Sequence, residues 1–248
     1  MSACAAQRVT LPSDAGVPFN DFAQVHEKLT EACRGVRTLT TELSLSGRAG
    51  DERLRGRVVA GFERPDSMRL EGVAPFGPPA FILAARGNMA ILLLPRDDRV
   101  LKGERAEEIL GALTGVTLAP ADLQAILTGC VTASPKPLSG RMHDNGWASI
   151  ELEGGARVFL QMQNSGWQLR AARLEGWQLE YPAWQGRFPQ TVRLQSDRPG
   201  ANVDLAATLS QIESNVDLDM EAFTVRVPDT AQSLTLDELR AAGPLRGQ

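Results

Sequence analysis

The sequence predicts a mainly β fold: a single large curved antiparallel sheet, or incomplete β-barrel, whose concave apolar face is covered by an N-terminal helix and two short helices. Two observations lead to this class. Apolar and polar residues alternate along most of the chain, as they do from Thr38 to Ser46, which is typical of half-buried strands. Three other stretches space their apolar residues three to four apart, which is typical of amphipathic helices.

The alternating stretches account for about a dozen strands. Gly87-Asn88 and Gly154-Gly155 lie between neighbouring stretches and have the composition of tight turns. Such short connections join antiparallel neighbours, so we expect a meander. The predicted strands are 38–46, 54–63, 68–72, 81–86, 89–94, 147–152, 156–162, 167–174, 177–181, 191–195, 202–209 and 223–227.

Helical spacing occurs in residues 20–35, 106–115 and 120–130. Each segment presents one apolar stripe, which must be buried against the sheet. The chain shows no internal repeat and no second domain, so residues 1–18 are expected to form a flexible tether and residues 19–248 a single domain. The stripes consist of Phe22, Val25, Leu29 and Ala32 or Cys33, then Ala106, Ile109, Leu110 and Leu113, then Leu123, Ile126, Leu127 and Cys130.

The charge and the hydropathy of the sequence argue against a nucleic-acid partner and against a membrane-spanning helix. The net charge of -4 and the isoelectric point near 5.4 lack the basic excess that nucleic-acid binding requires. No apolar run approaches the roughly 18 residues of a membrane-spanning helix. We therefore expect no nucleic-acid partner and no helix that crosses a bilayer.

Few residues suit catalysis, since the chain has two histidines and a single tyrosine. His26 precedes Glu27 as in a zinc-protease helix, but Thr30 stands where the second histidine is needed, so we interpret His26 as a solvated helix residue. His143 lies in a polar turn beside Asp144, which leaves a base-and-orienter pair as a minor alternative. A non-enzymatic protein with no catalytic residue, no metal site and no cofactor is expected.

The three cysteines differ in context. Cys4 follows small residues, as at the cleavage point of a bacterial lipoprotein signal peptide, so we expect Cys4 to be lipidated. The alternative is an ordinary terminus with an incidental cysteine. Cys33 and Cys130 either form a disulfide after export or stay as two buried thiols, and the sequence leaves both interpretations open.

The segment RAEEILGALTGVTLAPADLQAILTG, residues 105–129, resembles the LolB family of outer-membrane lipoproteins, whose members are similar in fold to the carrier LolA. The matching features are an acidic pair in a first helix, a Leu-Thr-Gly stop at residues 113–115, and a second helix that ends in Leu-Thr-Gly at residues 127–129. Upstream, Pro75-Phe76-Gly77 resembles the family's Pro-Leu-Gly turn, with an aromatic in place of the leucine. The resemblance is good to about residue 130, and the C-terminal segment extends beyond it.

The resemblance implies a carrier that receives the acyl chains of lipoproteins in an apolar cavity and inserts them into the outer membrane. It implies acylated lipoproteins as partners, a LolA-like periplasmic donor, and a monomer anchored to the periplasmic face of the outer membrane. The alternation then predicts the residues that line the lipid cavity: Leu43, Leu45, Val58, Phe62, Met68, Leu70, Phe81, Leu83, Ile91, Leu93, Ile109, Leu113, Leu123, Leu127, Val158, Leu160, Trp167 and Trp177.

Phe76 is predicted to contact the membrane. An exposed phenylalanine forfeits roughly 1.5–3 kcal/mol of burial, so a turn should carry one only if something else covers it. The alternative is that the ring folds back onto the rim of the sheet. Two other functions also stay open: a periplasmic carrier or sensor of other lipids, and a structural lipoprotein whose core is filled.

Overall fold

A computed structural model describes residues 8–130, 135–164, 166–196 and 202–242. The chain divides into two compact units, of which the first comprises Met1–Gly35 and Ala125–Gly200. The second comprises Val36–Gln124 and Ala201–Gln248. The single domain expected over residues 19–248 stays a prediction.

Strands dominate the described residues, and four helices accompany them. The strands are β1 Val17–Pro18, β2 Thr38–Ala49, β3 Glu52–Glu63, β4 Ser67–Val73, β5 Ile82–Arg86, β6 Met89–Leu94, β7 Arg99–Glu104, β8 Pro137–His143, β9 Trp147–Leu152, β10 Arg157–Gln163, β11 Gly166–Leu174, β12 Trp177–Gln185, β13 Phe188–Ser196, β14 Val203–Ser214 and β15 Gln232–Ser233. The helices are α1 Phe22–Arg34, α2 Ala106–Thr114, α3 Pro120–Thr128 and α4 Leu236–Ala242.

The first unit contains seven strands in the order β1-β8-β9-β10-β11-β12-β13, and their described pairings are antiparallel. Helix α1 packs on β8, where Gly140 leaves space for Phe22 that any Cβ would occupy. The predicted helix is present, but its buried face includes His26, which is only 7% exposed. The interpretation of His26 as a solvated residue is therefore wrong, because the packed face is rotated by one residue from the predicted stripe.

The second unit has the order β14-β2-β3-β4-β5-β6-β7-β15, with antiparallel neighbours except for the short parallel pair of β15 and β7. Helix α2 lies on β5 and β6, and α4 packs against α2. The two-residue turn at Gly87-Asn88 is confirmed, since Arg86 pairs with Met89.

The predicted class, mainly β with antiparallel strands and short helices, is confirmed by these elements. Four strands that the alternation did not show are β1, β7, β8 and β15. The predicted strand at 223–227 is wrong, because Met220–Phe223 forms a turn of 3-10 helix and no strand follows it there. Helix α4 was missed, although Thr235 and Glu238 carry the spacing of an N-terminal capping box.

Cys33 and Cys130 form a disulfide, which decides between the two interpretations left open by the sequence. Both cysteines are buried in the first unit, one at the end of α1 and the other just after α3. The bond closes a loop with a sequence separation of 97 residues. A disulfide that closes a loop of that length is expected to stabilise the protein chiefly by restricting the unfolded chain.

Replacing both cysteines with serine is expected to lower the free energy of unfolding by about 2–5 kcal/mol. Urea unfolding of the oxidised protein and of the Cys33→Ser/Cys130→Ser variant measures the difference. Dithiothreitol should lower the unfolding midpoint of the wild-type protein and leave that of the variant unchanged. Equal midpoints for the two proteins without reductant would contradict the bond.

Candidate functional site

The second unit contains an apolar hollow of about 320 Å³. Its floor is the face of β2, β3 and β14 that carries Leu45, Val58 and Leu205. Paired residues on neighbouring strands share a face, and Leu43 pairs with Val58 while Ala207 pairs with Leu45. The alternation therefore builds one continuous apolar surface across three strands. The hollow lies at the small end of the range of ligand pockets, about 300–1,000 Å³.

Gly56 leaves the floor of the hollow open. A Cβ at this position would meet no atom within 4 Å, and the backbone of Gly56 does not have a positive φ. Gly72 differs, because the ring of Phe81 lies 2.5 Å from where its Cβ would be. The first glycine provides free volume, whereas the second is filled by a neighbouring aromatic ring.

Two helices wall the hollow. Leu113 and Thr114 come from the end of α2, and Leu239 and Ala242 come from α4. Leu239 is only 5% exposed, so α4 inserts an apolar side chain beside the space that a guest would fill. This wall was not predicted because α4 itself was not.

Helix α4 is held by polar contacts at both ends. Thr235 and Glu238 cap each other, since each backbone N–H donates to the other's side chain. Glu238 also pairs with Arg99, and Arg240 pairs with Glu108 of α2 at 2.7 Å. The Thr235 N–H lowers the pKa of Glu238, so the cap persists through the ordinary titration range of glutamate and is lost only as pH falls through that lowered pKa.

The loop between β4 and β5 forms part of the rim. Phe76 is 88% exposed, while the adjacent Pro75 lines the hollow. The backbone carbonyl of Phe76 accepts a hydrogen bond of 2.7 Å from the Arg96 guanidinium, and Gly77 has a φ of +77°, a conformation that suits glycine. The alternative that the ring folds back onto the sheet is therefore wrong, and the backbone of the exposed residue is held by Arg96.

Four of the predicted cavity residues, Leu45, Val58, Phe81 and Leu113, line the hollow. A second group of the predicted residues in the same unit is buried in the packed core and does not line the hollow. The lining residues that the alternation did not single out include Leu54, Leu205, Leu239 and Ala242. The buried group consists of Leu43, Phe62, Met68, Leu70, Leu83 and Ile109.

Ile91 and Leu93 lie on the opposite face of the sheet from Leu83, so the prediction that they line the same cavity is wrong. The register pairs Leu83 with Leu92, and Ile91 with Ala84. The predicted two-residue turn already requires this register, because it sets Arg86 against Met89. A continuous apolar run such as residues 90–94 hides which alternate residue faces inward.

The remaining predicted cavity residues do not line the hollow of the second unit. Val158, Leu160, Trp177 and Leu127 are buried in the first unit. Trp167, also in the first unit, packs against Phe19 with 5.5 Å between ring centroids. Leu123, in α3, is half-buried.

Cys4 lies outside the described residues, so its lipidation stays a prediction.

His143 takes part in a chain of hydrogen bonds. Its Nδ1 lies 2.9 Å from Asp14 Oδ1 and its Nε2 lies 2.8 Å from Ser149 Oγ. The hydrogen bond from His143 lowers the pKa of Asp14. The orienting residue is thus Asp14 and not the predicted Asp144. Ser149 is only 6% exposed in the middle of β9, so the arrangement anchors residues 14–18 on β8 and β9 instead of presenting a nucleophile.

Two kinds of feature are absent from the described residues. No group of three or more histidine, cysteine or acidic side chains there is placed to hold a metal ion. None of the helices there is both long and apolar enough to span a membrane.

In sequence, the chain matches no known family profile and none of the curated proteins. In structure, it is similar to a DUF1329 family protein from Desulfovibrio piger, with a TM-score of 0.54, 13% identity, and coverage of 84% of this chain and 97% of that one. It is also similar to the LolA superfamily protein NE2245 from Nitrosomonas europaea, with a TM-score of 0.53, 12% identity, and coverage of 81% and 98%. The chain therefore has a LolA-like fold, as the resemblance implied.

Proposed function

We propose that this chain is a non-enzymatic lipid carrier of the bacterial envelope that binds an acyl chain in the hollow of its second unit. The apolar hollow over Gly56 is the observation that carries the proposal. Acyl chains offer no hydrogen bonds, so a mostly apolar surface is the appropriate receptor. Leucine, valine and phenylalanine side chains provide that surface, and Arg55, Arg57, Arg96 and Asp97 also line the hollow. The LolA-like fold supports the same class of ligand.

The size of the hollow fits one acyl chain or part of one. If a methylene needs about the 30 Å³ of a liquid water molecule, 320 Å³ accommodates about ten. At about 0.8 kcal/mol for each buried methylene, ten contribute about 8 kcal/mol. That free energy of burial is large enough to keep an acyl chain bound to the protein in water.

The cargo that we propose is the acylated N-terminus of lipoproteins, received from a LolA-like periplasmic donor and inserted into the outer membrane. A LolB-like role accounts for the exposed Phe76 beside the hollow, because a carrier that delivers lipid must contact the bilayer. The disulfide supports a location outside the reducing cytosol. Lipidation of Cys4 would anchor the monomer to the periplasmic face of that membrane.

A carrier of single-chain lipids is the second candidate, and the small volume of the hollow favours it. The two candidates are separated by incubating the purified protein with a synthetic triacylated lipopeptide or with a lysophospholipid, followed by native mass spectrometry. A 1:1 complex with the lipopeptide is the expected result. Binding of the lysophospholipid alone would replace lipoprotein with single-chain lipid as the cargo, and binding of neither would favour the structural lipoprotein with a filled core.

Weakening the cap of α4 is expected to speed the uptake of a fatty acid about fivefold. Helix α4 walls the hollow, and an N-cap is worth about 1 kcal/mol, so Thr235→Ala should raise the open population by about that factor. Stopped-flow fluorescence with a labelled fatty acid measures the association rate. Ser233→Ala is the matched control. Ser233 lies two residues before Thr235, and its hydroxyl group does not cap α4. An unchanged rate in Thr235→Ala would remove α4 from the entry path.

A further inference from the structure

The first unit contains a polar cleft of about 440 Å³ on the face of the sheet that the N-terminal segment crosses. Val9 and Leu11 of that segment pack on Trp147, Phe159 and Ala171. The cleft opens beside this packed segment, and it is distinct from the hollow of the second unit. Its lining residues are Arg8, Val9, Thr10, Trp147, Gln161, Arg170, Pro182, Ala183 and Thr191.

Two neighbouring β-bulges shape the cleft. On β11, Arg170 is the extra residue, because Leu169 pairs with Leu160 while Ala171 pairs with Phe159. On β12, the register also shifts between Glu180 and Ala183. Bulges redirect side chains and often lie at functional sites. Both irregularities contribute residues to the same cleft, which places an arginine where the regular ladder would not.

The Arg170 guanidinium forms no ion pair with any residue in the described part of the chain. Its Nε is buried, and no hydrogen bond or ion pair joins its side chain to another described residue. Burial lowers the pKa of this guanidinium. The buried carboxylate nearby, that of Glu180, accepts hydrogen bonds from the Val9 N–H and from the amide of Gln178. Arg170 is half-buried, so its guanidinium is partly shielded from water without a paired anion, and this arrangement indicates a ligand that supplies negative charge.

The other polar residues of the cleft are hydrogen-bond donors and not acids. Gln161 accepts from Gln163 through its Oε1, which leaves its own NH₂ group to donate. Thr10 and Thr191 add hydroxyl groups. Donors thus come from β10, β11, β13 and the N-terminal segment. Arginine binds phosphate oxygens through charge-assisted hydrogen bonds, and the hydroxyl and amide groups can donate further bonds to the same oxygens.

We infer that this cleft is a binding site for a phosphate group, and that Arg170 is the residue that contributes most to binding it. The group belongs either to a phospholipid head or to a small soluble phosphate, and the site recognises the chemistry that the two share. This inference does not depend on the acyl-binding hollow, because none of the cleft residues lies in the second unit. Trp147, which lines the cleft, provides a spectroscopic reporter.

Isothermal titration calorimetry with inorganic phosphate tests the site. The wild-type protein is expected to bind phosphate, and Arg170→Gln is expected to bind it about tenfold more weakly or not at all, since charge-assisted contacts are the strong ones. Arg173→Gln is the matched control, because Arg173 lies on the same strand, is exposed and stacks on the ring of Phe159. It should bind phosphate like the wild type.

A second variant guards against a folding defect in Arg170→Gln. Gln161→Met keeps the size of the side chain and removes the amide donor, so it should also weaken phosphate binding while the near-ultraviolet circular dichroism stays unchanged. No binding by the wild-type protein up to about 10 mM phosphate, or equal losses in Arg170→Gln and Arg173→Gln, would overturn the inference.

Flotation with phosphatidylglycerol vesicles distinguishes the two sources of phosphate. If the ligand is a lipid headgroup, Arg170→Gln should float less than Arg173→Gln, and inorganic phosphate should compete with the vesicles for the wild-type protein. If the ligand is a soluble phosphate, the two variants should float equally. Either result supports the phosphate site provided that calorimetry has detected it.

Discussion

Replacing Gly56 with isoleucine is expected to weaken fatty-acid binding about a hundredfold. The new side chain would project into the open space of the hollow and take the place of about four methylenes of the guest, which is about 3 kcal/mol of lost burial. The backbone of Gly56 tolerates a side chain, and a β-branched residue suits a strand. Fluorescence displacement of a labelled fatty acid measures the dissociation constant.

Gly61→Ile provides a matched control on the same strand. Gly61 lies on the opposite face of β3, and a Cβ there also meets no atom within 4 Å. This variant should bind the fatty acid like the wild type, with similar thermal stability. Equal losses of binding in the two variants would indicate a general effect on β3, and unchanged binding in Gly56→Ile would exclude the hollow as the site.

Replacing Phe76 with glutamate is expected to slow delivery about 10- to 100-fold without affecting uptake. The ring is almost fully exposed, and its insertion into an interface would regain roughly 1.5–3 kcal/mol, which corresponds to about 10- to 100-fold in the transfer rate. A carboxylate at the same position would add a desolvation cost. The measurement is the transfer of a labelled triacylated lipopeptide from the carrier to liposomes of phosphatidylethanolamine and phosphatidylglycerol.

Met89→Glu is the control for Phe76→Glu. Met89 is also at a turn of the second unit and is 60% exposed, so it introduces the same charge at another exposed apolar position. Only the Phe76 variant should transfer slowly, while both variants should take up the lipopeptide normally. Transfer at the wild-type rate by Phe76→Glu would show that this loop does not deliver the cargo.

The sequence predicted the strands and the exposed turn well because both depend on local patterns. Alternation identified β2 to β6, and the prolines and glycine around Phe76 indicated a turn. The signal of α4 was present in the capping box that begins at Thr235, but this helix has only seven residues and its burial depends on packing against α2. Short elements of this kind are stabilised by tertiary contacts more than by their own sequence.

The candidate sites were harder to predict because they depend on register and on which surfaces stay uncovered. Alternation cannot distinguish a side chain that lines a hollow from one in a filled core, so Val58 and Leu70 look alike in the sequence. The two bulges that shape the phosphate cleft have no sequence signal, since Arg170 lies in an ordinary alternating stretch. The contact between Asp14 and His143 joins residues more than 120 positions apart.

Photo-crosslinking with a fatty acid that carries a diazirine near the end of its chain tests the central claim most directly. After irradiation, peptide mapping should find the adducts on segments that line the hollow, around Leu45, residues 54–58, Leu205 and Leu239. An excess of unlabelled fatty acid should suppress these adducts. Adducts confined to the first unit, or labelling that an excess of fatty acid does not reduce, would contradict the claim that an acyl chain binds in the hollow.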